Sequence, residues 1–189
     1  MAPVFLYDFN SPYAYLAAER VDEILPGVTW QPIAFAFLLV AQQREPWSFH
    51  EPERSMGMAE IRHRAEERGL PPVVLPDGWP QGSYTIDPLR VALVAGEHGL
   101  LREYSCAAFA RNFVAGTGLA AGAALEVAEE IGLDRATVEA GLPTAKDALR
   151  AATDAAIEAS VPGVPTVSVD GEHFWGDDQL EAAAARLRG

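Results

Sequence analysis

Apolar and polar positions divide the chain into stretches of different periodicity. Pro3 to Phe9 is a short aromatic and branched run, read as a strand, and Asn10-Ser11-Pro12 stops it at a helix start. From Pro12 to about Leu25 the residues Tyr13, Leu16, Ala17, Val21, Ile24 and Leu25 recur at helical spacing until Pro26-Gly27 ends the pattern. Val28 to Phe35, with Trp30 and Ile33, is long enough for a second, buried strand. Beyond Phe37 the spacing turns helical, predicting helices over Glu60–Arg68, Leu89–Glu97, Leu101–Phe113, Ala120–Ile131 and Ala145–Ala159. Pro71-Pro72 and Pro76-Asp77-Gly78-Trp79-Pro80 interrupt them as rigid loops. Strand character returns at Val164–Val169. Asp170-Gly171 then predicts a type I′ hairpin turn, Glu172–Trp175 the returning strand, and Asp178–Arg188 a last helix.

The order βαβ, a long helical block, then ββα predicts an α/β protein with a thioredoxin-like core and a large helical insertion. The core is expected from residues 1–37 and 160–189, and the inserted helical domain from residues 38–159. The Ala-rich middle is good helix-forming composition and contains no repeat.

Composition narrows the function. At 189 residues and 49% hydrophobic, the chain can bury a core without disulfides or metal. Fourteen basic against twenty-seven acidic residues leave a net charge of −13, which argues against nucleic acid as a partner. Apolar runs are too short for a membrane span, and Pro3-Val4-Phe5-Leu6 runs directly into Asp8 without the pattern of a signal core, so a soluble protein is expected, and the cysteine usage points to the cytoplasm. Cys106 is the only cysteine, which excludes a Cys-x-x-Cys redox pair and fits a reducing compartment. With no histidine near it, Cys106 is read as a packing residue.

Three segments carry candidate chemistry. In Asn10-Ser11-Pro12-Tyr13-Ala14 the serine suits a helix N-cap and the proline the first helical position. The same place stabilises an anion, and a thiolate arriving from outside the chain is one, so Ser11 can activate a borrowed thiol without attacking anything itself. In Gly163-Val164-Pro165-Thr166 a proline at a strand's first residue need donate nothing to the ladder. In Trp175-Gly176-Asp177-Asp178-Gln179-Leu180-Glu181, Asp178 and Glu181 have capping-box spacing, while a carboxylate there can equally hold an ammonium group. All three fall at one edge of a thioredoxin-like sheet.

Phe5 to Ala17, Gly163 to Thr166 and Phe174 to Asp178 resemble the opening and closing motifs of the 2-hydroxychromene-2-carboxylate isomerase and kappa-class glutathione transferase family, of DsbA-like fold. Arg68-Gly69-Leu70-Pro71 to Trp79-Pro80 and Leu89-Arg90 extend the resemblance over essentially the whole chain. It implies a glutathione-dependent enzyme, usually a homodimer. Ser11 would hold the thiol, Val164 before a cis Pro165 would pair with the cysteinyl backbone, and Asp177 or Asp178 would bind the glutamyl end. A small aromatic substrate would lie against Tyr13, Trp79 and Arg90. The activity implied is cis-trans isomerisation of an aromatic unsaturated 2-oxo acid. The alternatives are a kappa-like transferase or a thiol-binding module without catalysis.

The family commonly has a lysine and then a Gly-Asn pair after the second strand, where this chain has Val40 and Arg44. Arg44 can bind a carboxylate or stand as a solvated charge, and this departure keeps another low-molecular-weight thiol open. Gln179 stands where an arginine is common. Tyr13, Trp47, Trp79, Tyr84 and Trp175 can wall a pocket for a flat substrate, though each alone also reads as core. His50, His63, His98 and His173 lack metal-ligand spacing. Gly116-Thr117-Gly118-Leu119-Ala120-Ala121 follows helical sequence, so it reads as a turn and not as a dinucleotide loop.

Overall fold

The computed structural model describes residues 2–119 and 122–188. Strands β1 (Val4–Tyr7), β2 (Thr29–Pro32), β3 (Thr166–Val169) and β4 (Glu172–Trp175) form one sheet in the order β2-β1-β3-β4. β1 pairs in parallel with β2 and antiparallel with β3, placing Phe5 opposite Trp30 on one side and Val167 on the other. Side chains alternate across a strand. Phe5 and Tyr7 therefore enter the main core, where Trp30 stands edge-on to Phe5 at 5.0 Å, while Leu6 enters a second cluster with Ile33, Leu38, Val161 and Val164. Burial on both faces explains why β1 reads as a continuous apolar run and not as an alternation.

Helices α1 (Pro12–Ala18) and α2 (Val21–Ile24) replace the single helix expected up to Leu25. The break falls at Glu19-Arg20, and the Arg20 guanidinium there pairs with Glu181. α3 (Phe35–Ala41) begins inside the expected second strand. Its start is fixed from outside, because Asp8 accepts the Phe35 N–H at 2.9 Å and Thr153 accepts the Ala34 N–H at 3.0 Å. A short 3-10 turn, Trp47–Phe49, leads into α4 (Glu53–Glu67), which starts seven residues before the expected Glu60. α5 (Ile86–Glu97) and α6 (Leu101–Phe113) follow, α6 with the bounds that the spacing predicts. α7 (Ala123–Glu130) starts within the predicted Ala120–Ile131, whose first two residues lie outside the described ones.

α8 (Arg135–Glu158) is longer than predicted and continues through Pro143, where proline loses one ladder bond. Val138 on one side of it and Ala145, Leu149, Thr153 and Ala156 on the other are all buried, so packing carries the helix across. Asp134 caps its start by accepting the Thr137 N–H at 3.0 Å. The hairpin turn is as predicted, with Asp170 and Gly171 at φ +49° and +84°. α9 (Leu180–Arg188) closes the chain. The sheet and the helical block share one hydrophobic cluster, in which Tyr7 and Phe9 of the sheet edge meet Phe109 of α6 at 5.7 and 5.0 Å. The site is thus built on a rigid seam between them.

Cys106 sits on α6 at intermediate exposure against that core. Burial pushes its thiol up to about 11, with Arg102 offsetting only part of the shift. A raised thiol pKa leaves less thiolate at any lower pH. Iodoacetamide at mildly alkaline pH is therefore expected to alkylate Cys106 on the order of 100-fold more slowly than an ordinary thiol, with a rate rising about tenfold per pH unit toward pH 11. Rapid labelling with a pH midpoint near the ordinary value contradicts this.

Candidate functional site

The turn from β1 into α1 is held from several directions. Asp8, almost fully buried, accepts the N–H groups of Asn10 and Phe35, each at 2.9 Å, and is also hydrogen-bonded by the Thr85 hydroxyl. Burial raises its carboxyl pKa and the N–H donors offset part of that rise. The Asn112 amide donates to Phe9 O at 2.8 Å and the Trp79 indole to Asn10 O at 3.0 Å. On this fixed turn the Ser11 hydroxyl oxygen accepts the Ala14 N–H at 3.2 Å, the N-cap bond, and donates to Val164 O at 3.4 Å. The first bond fixes the oxygen. The second is at the long limit for a hydroxyl donor, so the proton is weakly held and free to turn toward a better acceptor.

The Val164–Pro165 peptide is cis, and among the described residues the Val164 N–H has no hydrogen-bond partner. A Cβ on Gly163 would come within 2.8 Å of the Trp175 indole nitrogen, so glycine there lets the ring lie against the loop. Arg44 reaches across to donate to Pro162 O at 2.7 Å and to Gln42 at 2.9 Å, with its guanidinium 5.4 Å from the Trp175 ring centre. It is exposed at this rim and bonds the backbone of the proline loop.

The paired aspartates behave differently from each other. Asp177 has no solvent exposure; Arg64 donates to one oxygen and the Arg68 guanidinium lies 2.6 Å from the other, out of line for a hydrogen bond. Asp178 is half-exposed, with Arg64 at 3.8 Å. The expected capping box is not made, because α9 starts at Leu180 and the Glu181 carboxylate is engaged by Arg20. Gly176, at φ +122°, has no room for a Cβ beside the Asp178 carboxylate, so glycine lets that side chain fold back.

One cavity of about 910 Å³ gathers Ser11, Tyr13, Arg44, Trp79, Val164, Pro165, Asp177 and Asp178. Its remaining wall is mainly apolar, with Phe35, Phe37 and Val40 from α3 and Trp47 from the 3-10 turn. The Tyr13 hydroxyl donates to Glu60 at 2.8 Å, and burial, reinforced by that carboxylate, raises its pKa and keeps it protonated. Arg90 is not brought into this cavity. It lies a turn along α5 from the cavity residue Ile86, and its guanidinium is paired with Asp87 at 3.2 Å. Asp8, Glu60 and Arg64 line the cavity although sequence reasoning missed them. The Glu60-to-Arg64 spacing of four on a predicted helix is a signal that could have drawn attention to the last two. Among the described residues no group of three His, Cys, Asp or Glu side chains can hold a metal ion, and His50 and His63 pair with Glu45 and Glu67. Nor is any described helix long and apolar enough to cross a membrane.

Comparison with known proteins accords with this architecture. The chain is similar to 2-hydroxychromene-2-carboxylate isomerase of Pseudomonas putida, with 29% identity over 97% of this chain and 94% of that protein. A solved structure of a 2-hydroxychromene-2-carboxylate isomerase superposes with a TM-score of 0.82 at 24% identity, covering 100% of this chain and 96% of the other. The cytosolic disulfide reductase DsbM from Pseudomonas aeruginosa, solved with GSH, superposes with a TM-score of 0.64 at 17% identity, covering 100% and 98%. The model of the DSBA-like thioredoxin domain matches residues 4–188, and the chain belongs to that family, with a mixed four-stranded sheet and a helical insertion.

Proposed function

We propose that this protein is a glutathione-dependent cis-trans isomerase of an aromatic unsaturated 2-oxo acid, the activity that the family resemblance of its motifs implies; a 29%-identical relative is named a 2-hydroxychromene-2-carboxylate isomerase. The observation that carries the proposal is the weakly engaged Ser11 hydroxyl, 3.4 Å from Val164 O, at the wall of a large aromatic cavity. The site's residues fit a small peptide thiol. Ser11 offers a hydroxyl donor, Val164 an unpaired N–H beside it, and Asp178 a half-exposed carboxylate.

When bound, the thiol supplies a nucleophile that adds reversibly to a conjugated double bond, so that rotation precedes elimination and the thiol is returned. Ser11 redirects its proton from Val164 O to the sulfur, favouring the ionised form. The Ala14 N–H, donating to the same oxygen, makes that hydroxyl a stronger donor and prevents it from swinging away. Trp47 and Trp79, tilted to each other with ring centres 6.1 Å apart, offer flat apolar surface to an aromatic acid and exclude water. With one cysteine in the chain, no dithiol exchange within it is available. The reading carries with it a cytoplasmic location and a homodimer.

Product analysis tests the assignment. Isomerisation returns every equivalent of glutathione over many turnovers, whereas thiol loss matching product formation indicates transfer and contradicts it.

A further inference from the structure

The five consecutive carbonyls from Val161 to Pro165 each accept a hydrogen bond, and they are not held alike. Gln42 donates to Val161 O, Arg44 to Pro162 O and the Thr166 hydroxyl to Gly163 O, each at 2.7 Å, and the Gly176 N–H meets Pro165 O at 3.0 Å. Val164 O, the one that reaches the site, is met by the Ser11 hydroxyl at 3.4 Å. An unconstrained O–H···O bond settles at about 2.8 Å. The length of this one is therefore set by what holds its two ends. The Ala14 N–H fixes the Ser11 oxygen, and the loop is fastened on both sides of Val164.

The two fastenings furthest upstream come from the end of α3. Gln43, at φ +53°, turns the chain out of the helix, and the N–H groups of Gln43 and Arg44 return to Val40 O and Leu39 O at 3.1 and 3.0 Å, a Schellman motif. That turn brings Arg44 beside Gln42. Arg44 Nη1 donates to Gln42 Oε1 at 2.9 Å, which orients the amide so that Nε2 points at Val161 O. Both hydrogens of Nη1 are thus used within the protein, one on Gln42 and one on Pro162 O. One helical turn earlier, Leu38 packs in the same cluster as Val161 and Val164.

We infer that Gln42 and Arg44 are positioning residues for catalysis: their joint grip on Val161 O and Pro162 O holds Val164 O away from Ser11 and so keeps the serine proton available to an incoming sulfur. Neither side chain touches the reacting atoms. Without the grip the loop closes on Ser11, the bond shortens to ordinary length, and the proton stays on Val164 O in preference to sulfur. The inference rests on the thiol reading above and adds how its central hydroxyl is kept weakly engaged.

The test compares the full-length protein with Gln42→Leu, Arg44→Met and the double variant. Leucine and methionine keep much of the side-chain bulk without the donors. Gln42 is half-buried and Arg44 exposed, so the variants are expected to fold. A crystal structure of the double variant without thiol is expected to show the Ser11 Oγ to Val164 O distance shortened from 3.4 Å to about 2.8 Å. The thiolate absorbance of bound glutathione is expected to titrate about one pH unit higher in the double variant and less than that in either single variant. Turnover should fall roughly 3- to 10-fold, while affinity at acid pH, where the bound thiol is protonated, stays within about twofold. Arg44→Lys keeps a donor for Pro162 O and is expected to remain closer to the unaltered protein than Arg44→Met.

An unchanged Ser11 to Val164 distance in the double variant overturns the grip and leaves the thiol reading standing. A shortened distance with an unchanged thiol pKa also overturns it, and the reading beneath falls with it only if Ser11→Gly leaves that pKa unchanged as well. Glutathione binding weakened about tenfold or more in Arg44→Met at unchanged thiol pKa, with Gln42→Leu without effect, overturns it in favour of Arg44 as a carboxylate ligand. Failure of the unaltered protein to bind glutathione overturns the thiol reading and the catalytic role of the grip together.

Discussion

Replacing Ser11 with alanine is expected to lower turnover about 10²-fold, the range for removing one preorganised donor from developing or resident negative charge. The hydroxyl makes two bonds, and they have separable consequences. As acceptor of the Ala14 N–H it caps α1, and losing that bond costs about 1 kcal/mol of stability. As donor it is weakly held by Val164 O and can turn toward a sulfur placed beside it. Ser11→Thr keeps both capacities and should retain most of the activity. Ser11→Gly tolerates the cap position with a loss of only a few tenths of a kcal/mol, so it isolates the donor. If Ser11→Gly and Ser11→Ala turn over at the unaltered rate, the serine has no chemical role.

The second large effect is on stability. Asp177→Asn is expected to cost about 3 kcal/mol, because it removes the negative charge between Arg64 and Arg68 and leaves both guanidinium groups against a neutral side chain. Removal of one partner from a fully buried pair costs about 3–5 kcal/mol, and the low end applies because each arginine side chain keeps about a fifth of its surface exposed. For a chain of this size that loss lowers Tm by roughly 6–12 °C. Asp178→Asn, on a half-exposed carboxylate with no hydrogen bond, should move Tm by no more than a degree or two. Thermal melts of the two variants side by side separate a carboxylate that holds the fold from one that does not. Equal melting temperatures would show that the two aspartates are not so divided.

Much of this site was legible in the sequence because its parts are local. A serine before a proline at the end of an apolar run specifies an N-cap, and the cap is made. Asp170-Gly171 specifies a hairpin turn, and both residues have positive φ. Elements were misjudged where a distant contact overrides local pattern. Asp8 and Thr153 start α3 inside what reads as strand, and buried side chains on either side carry α8 through Pro143. The pairing of Arg64 with Asp177 joins residues 113 positions apart, on elements whose approach no periodicity announces. For that reason Asp177 and Asp178 read as interchangeable in the sequence, although one is enclosed and the other open. Arg90 stands outside the cavity lining. A residue carried over by resemblance sits on the expected helix, yet a neighbour three positions away engages it.

Ionisation of bound glutathione, followed by the ultraviolet absorbance of its thiolate as pH is raised, probes the role of Ser11 most directly. The bound thiol should ionise below its free pKa in the unaltered protein, and about one unit or more higher in Ser11→Gly than in the unaltered protein. Superimposable titration curves for the two proteins would contradict activation of the sulfur by this hydroxyl.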